Sequence, residues 1–155
     1  MTWTTYHNRG ELLRDVIAVA DQRRDGLLPM DLDGVVERFD DELGLLGALQ
    51  LRWHTRLAGR IEHALMSQPM DLETAVVSAW QATAREMPGV RAILDRYRLE
   101  PTDQRMASAM RTAVSKEHIA LAAMSGKGAY GDERAAPVGA AIEERARATY
   151  VRAAA

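Results

Sequence analysis

Apolar residues recur along this chain at intervals of three and four, and nowhere do they alternate with polar ones as a half-buried strand requires. The elements this pattern predicts are helices. Leu12, Leu13, Val16, Ile17 and Ala20 share one face of a first helix running from Asn8, its cap, to Arg24, with Asp25-Gly26 as the stop. After a crossover through Leu27-Leu28-Pro29-Met30, Asp31 or Asp33 opens a second helical stretch reaching about Ser67. An unbroken helix of that span would be roughly 55 Å long at 1.5 Å per residue, more than the width of a domain this size. A bend or break is therefore expected near Gly44 to Gly47, or else a helix protruding into a partner.

Asp71 caps a third helix to Met87, with Val76, Val77, Trp80, Ala84 and Met87 on its buried face and Pro88-Gly89 after it. A short helix over Val90–Arg98 precedes Pro101, and another extends from Thr102 to Ser125. Residues 125–133, with Gly126-Lys127-Gly128 at their start, read as a flexible connector. An Ala-rich, loosely packed helix follows over 134–155, on a thin stripe of Val138, Ile142, Ala146 and Thr149. The sequence thus predicts an all-α fold, a single-domain helical bundle over 1–155 of five or six helices with one long central helix. Pro29-Met30-Asp31-Leu32-Asp33 echoes Pro69-Met70-Asp71-Leu72-Glu73, which reads either as a duplicated unit or as recurring cap chemistry.

Composition narrows the function classes. The 155 residues hold no cysteine, which removes disulfides, thiolate metal sites and cysteine nucleophiles together. A formal charge of −2 gives no overall attraction to nucleic acid or anionic lipid. No apolar run is long enough for a membrane span, and the first residues lack the basic and apolar blocks of a signal peptide, so a cytoplasmic protein is expected. The bias of 18 Arg over 2 Lys is that of G+C-rich bacterial coding and carries no activity.

The extended surface feature is the polar side of the second helical stretch, acidic in its first half through Glu37, Asp41 and Glu42 and basic in its second. Arg52, Arg56 and Arg60 stand one turn apart, followed by His63. Guanidinium forks at this spacing suit carboxylates or phosphates, although a plain solvated face shows the same charges. Nucleic acid is argued against: beyond this stripe and Arg145, Arg147 and Arg152, no basic recognition helix is legible.

Two polar groups intrude on apolar stripes, His54 with Gln50 one turn earlier, and Glu117 in the helix from Thr102. With those helices antiparallel, His54 and Glu117 would meet as a buried polar pair, because an unpaired buried carboxylate costs several kcal/mol, on the order of a lost ion pair. Adding Glu73, and Asp40 beyond it, would give an oxygen-rich set with one imidazole that a divalent metal accepts. Glu62-His63 and Glu117-His118 are adjacent in sequence and so splay about 100° apart on a helix, unlike the Glu-x-x-His of di-iron bundles. No Gly-x-Ser-x-Gly elbow surrounds Ser115 or Ser125, and Gly126-Lys127-Gly128 lacks the rest of a phosphate loop. Met106, Met110 and Met124 with Trp53 and Trp80 read as core, or as the lining of a ligand pocket. The function expected is a non-enzymatic interaction protein without a cofactor, self-associating or docking an acidic partner through Arg52, Arg56, Arg60 and His63. The rival is a metal- or small-ligand-binding bundle of oxidoreductase type, built on His54, Glu117 and Glu73.

Overall fold

The computed structural model describes residues 2–154 of the chain, with side chains over 9–150. Among the described residues there are seven α-helices and no strand: α1 (Thr2–Arg23), α2 (Val35–Phe39), α3 (Glu42–Ser67), α4 (Leu72–Glu86), α5 (Pro88–Leu99), α6 (Gln104–Met124) and α7 (Ala136–Ala154), with a 3-10 turn at Glu133–Ala135 before α7. The chain is all-α, as its periodicity predicts, with seven helices instead of five or six.

The extra helix comes from a clean break before α3. Asp40 takes a left-handed φ of 67°, which ends α2, and Asp41 then caps α3 by accepting the Gly44 N–H at 2.9 Å. The break thus falls a few residues ahead of the glycines the sequence pointed to. Gly44 is nonetheless tied to it, because a Cβ there would stand 1.9 Å from the Phe39 carbonyl oxygen as the chain folds back. At the other end of the prediction, α1 starts at Thr2, so Asn8 lies inside the helix and does not cap it. Pro88, expected as the stop of the third helix, lies just past the end of α4 and itself occupies the first turn of α5, where its missing N–H costs nothing.

The helices divide into two compact units. One takes the chain up to Trp53 together with Met87–Ala107, the other His54–Glu86 together with the chain from Ser108. In the first unit α1 packs on α5. The crossing is close because Gly89 has no side chain: a Cβ there would sit 2.1 Å from the Ala20 carbonyl carbon, and its N–H instead donates to Asp21 Oδ1 at 2.8 Å. Val16, Ala20, Val90, Ile93 and Leu94 are buried. The Leu28 N–H donates to the Tyr97 hydroxyl, and Arg91 lies 4.4 Å from the centre of the buried Trp53 ring.

In the second unit α4 packs on α7. The five residues expected on the buried face of the third helix, Val76, Val77, Trp80, Ala84 and Met87, are all buried, although Met87 falls just past the end of α4 and in the first unit. Gln81 donates to the Ala146 carbonyl at 3.0 Å, and Trp80 meets Tyr150 edge to face. α6 and α7 meet at Gly139, where a Cβ would fall 1.6 Å from the His118 carbonyl oxygen. The turn after α6 is a Schellman motif: Gly126 takes φ 73°, its N–H donates to the Ala123 carbonyl, and the Lys127 N–H donates to that of Ala122. Residues 125–133, expected as a connector, are thus shaped by hydrogen-bonded turns, and Ile142 and Ala146 of the thin stripe are buried. No helix among the described residues is long and apolar enough to cross a membrane.

Candidate functional site

The basic side chains singled out on α3 stand where the helix period puts them, with Arg52 and Arg60 half-buried and Arg56 and His63 exposed. Their surroundings were not legible in the sequence. Glu86, the last residue of α4, lies between two of the arginines. Arg56 Nε donates to both carboxylate oxygens at 2.9 and 3.0 Å, and Arg60 Nε donates to Oε2 at 2.9 Å, with a further contact from Arg60 Nη2. Two guanidinium groups share one carboxylate, so this cluster carries one net positive charge. The hydrogen bonds from Arg56, then those from Arg60, hold the Glu86 carboxyl below its usual range. With its side chain 36% exposed, that carboxylate remains partly in contact with water.

A second carboxylate at the opposite end of α4 is clasped in a similar way. Glu73, in the first turn, accepts from Lys127 and, at 3.1 Å, from Arg145 Nη1, while Arg145 also reaches the Thr74 hydroxyl. These bonds, Lys127 first, hold the Glu73 carboxyl below its usual range. Lys127, read as the centre of a loop, is therefore an anchor that ties the turn after α6 to α4.

That geometry corrects the metal set. Glu73 is engaged by two cations and is not assembled with His54 and Glu117; among the described residues no group of three His, Asp or Glu side chains is placed to hold a metal ion. Asp40, the outlying member of the set, is exposed at the end of α2. Glu117 is buried, 4% exposed, with interactions of its own, and His54 is half-buried. A buried imidazole and carboxylate also meet at His118 Nε2 and Glu143 Oε2, 3.3 Å apart. Their meeting follows from the close crossing of α6 and α7, since Glu143 lies one turn beyond Gly139 and Gly139 rests on the His118 backbone. Arg147, one turn further, stands 3.6 Å from Glu143 Oε2 and 4.9 Å from the centre of the Trp80 ring. The available signal was the i, i+4 run Gly139, Glu143, Arg147, a small residue followed by opposite charges on one face of α7.

The remaining candidates resolve into structure. Trp53, Trp80, Met106 and Met110 are buried core side chains. Arg145 and Arg147, weighed for nucleic acid, are engaged with Glu73 and Glu143, and Arg152 lies outside the residues whose side chains are described. A recess in the first unit is bordered by Asp41 and Asp103, but each carboxylate already caps a helix, α3 and α6 respectively. The echoed segments also part ways: Asp71 caps α4 through the Thr74 N–H, whereas Asp31 receives a two-pronged hydrogen bond from Arg23. No protein-family model, no curated protein and no solved structure matches this chain.

Proposed function

We propose that the protein is a non-enzymatic interaction protein that docks an acidic segment of a partner protein on the outer face of α3, through Arg52, Arg56, Arg60 and His63. The observation that carries this reading is that the face already binds a carboxylate: Glu86 is held by hydrogen bonds from both Arg56 and Arg60. Geometry that holds one carboxylate supports the reading that it can take another, and two positive charges over one negative leave the cluster short of anion. Arg56 and Arg60 stand one helical turn apart, about 6 Å, a spacing that acidic residues at i and i+4 of a partner helix reproduce.

The test uses a fluorescein-labelled poly-glutamate peptide and its fluorescence anisotropy at low salt. The wild-type protein is expected to bind it, with affinity falling as ionic strength rises past about 0.1 M, and to ignore poly-lysine. The double substitution R56E/R60E is expected to weaken binding by more than about tenfold with helicity by circular dichroism unchanged. Equal binding by the wild type and the double variant would refute the reading. Light scattering over a range of concentrations shows whether a second copy of the chain supplies the acid, in which case the mass rises at low salt and R56E/R60E restores the monomer.

A further inference from the structure

We infer that Glu86 is an internal competitor for the docking face, an autoinhibitory carboxylate that the partner's acidic side chain displaces from Arg56 and Arg60. The inference rests on the function proposed above and adds how that site is regulated. Three features of Glu86 carry it. It occupies the same donors that an incoming carboxylate would need, Arg56 Nε and Arg60 Nε, at 2.9 to 3.0 Å. Its position is the last residue of α4, the end of the helix where the macrodipole places partial negative charge and disfavours a carboxylate. The two arginines, not its own helix, therefore hold it in place. Finally, its side chain is 36% exposed, so on release it swings into water without leaving an orphaned buried charge behind.

Glu73 shows what a carboxylate with the opposite assignment looks like. It sits in the first turn of α4, where the dipole favours it, and its cations Lys127 and Arg145 come from a turn and a helix far along the chain, so displacing it would remove a tie shared by three segments. Glu86 ties the end of α4 to neighbouring turns of a single helix, α3, so its release removes one interhelix tie instead of a three-segment clasp. Because the arginines keep the Glu86 carboxyl below its usual range, it stays an anion at neutral pH, and its release is driven by competing carboxylate and not by protonation.

The experiment measures poly-glutamate affinity of the full chain for wild type, Glu86→Gln, and Glu144→Gln, the last being an exposed glutamate on α7 that matches the change in net charge. Glu86→Gln is expected to tighten binding about fivefold, the range set by removing one competing surface ion pair, while Glu144→Gln moves it less than about twofold. Circular dichroism and thermal melting confirm that each variant is folded. Affinity of Glu86→Gln equal to or weaker than that of Glu144→Gln would overturn the inference and leave the docking function standing on R56E/R60E. If neither the wild type nor Glu86→Gln binds the peptide, the docking function itself is overturned and this inference with it.

Discussion

The two ends of α4 present the same motif with opposite consequences. At each end a glutamate is shared by two cations, Lys127 and Arg145 on Glu73, Arg56 and Arg60 on Glu86. At the first, the helix dipole adds to the attraction, the carboxylate is 23% exposed, and the cations belong to two segments, the turn after α6 and α7. At the second, the dipole opposes, the carboxylate is 36% exposed, and both cations belong to one helix. Ion pairing alone therefore does not distinguish a structural clasp from the docking site proposed for α3. What distinguishes them is what else moves when the pair is broken.

The strongest way to break the comparison is to move α7, which brings Arg145 to Glu73 and has no part in the Glu86 cluster. Gly139→Ala would drive a Cβ into the His118 backbone, a clash that no side-chain rotation relieves. A loss of about 3 kcal/mol in denaturant unfolding is expected, the upper end of overpacking penalties, together with loss of the buried contact between His118 and Glu143. A cost below about 1 kcal/mol would show that the crossing is not close.

Next in size is Glu73→Gln, expected to cost about 1 kcal/mol because the turn after α6 and α7 both lose an anchor. Glu86→Gln is expected to change stability by less than about 0.5 kcal/mol, as for an ordinary surface pair. Equal costs for the two would erase the distinction between the ends of α4. Acid sharpens the contrast. Both carboxyls are held below their ordinary value of 4.5, so the stability each adds is fully present above that pH and is lost as pH falls through its folded value. Unfolding followed below pH 4.5 is expected to show a shallower acid limb in Glu73→Gln than in wild type, with a smaller change in Glu86→Gln. An acid limb unchanged in both variants would contradict the assignment of either glutamate as a paired anion in the folded state.

The sequence made the helices and their buried faces legible because periodicity reports burial directly: Val76, Val77, Trp80 and Ala84 on α4, and Met106 and Met110 on α6, are buried as their spacing predicts. Glu117 was legible for the same reason, as a carboxylate centred on an apolar stripe. Pairings were not legible, because they depend on register between helices, which no pattern along one helix supplies. The close approach at Gly139, which periodicity does not report, set the register that placed His118 against Glu143. Arg56 and Arg60 share one side of α3, yet the carboxylate they hold stayed hidden, since Glu86 is distant in sequence and sits at a helix end where an acidic residue is not favoured. The break before α3 was displaced for a related reason: glycine was taken as the weak point, but the chain turned at Asp40 and needed Gly44 only for the close approach of the Phe39 carbonyl.

The docking of an acidic segment on α3 is tested most directly by the arginine side chains themselves. In a nitrogen-15 spectrum of the full chain titrated with poly-glutamate, the Nε–H signals of Arg56 and Arg60 are expected to shift progressively as Glu86 gives way, while that of Arg145 stays in place. Shifts centred on Arg145, or none at Arg56 and Arg60 while the peptide binds, would contradict the account.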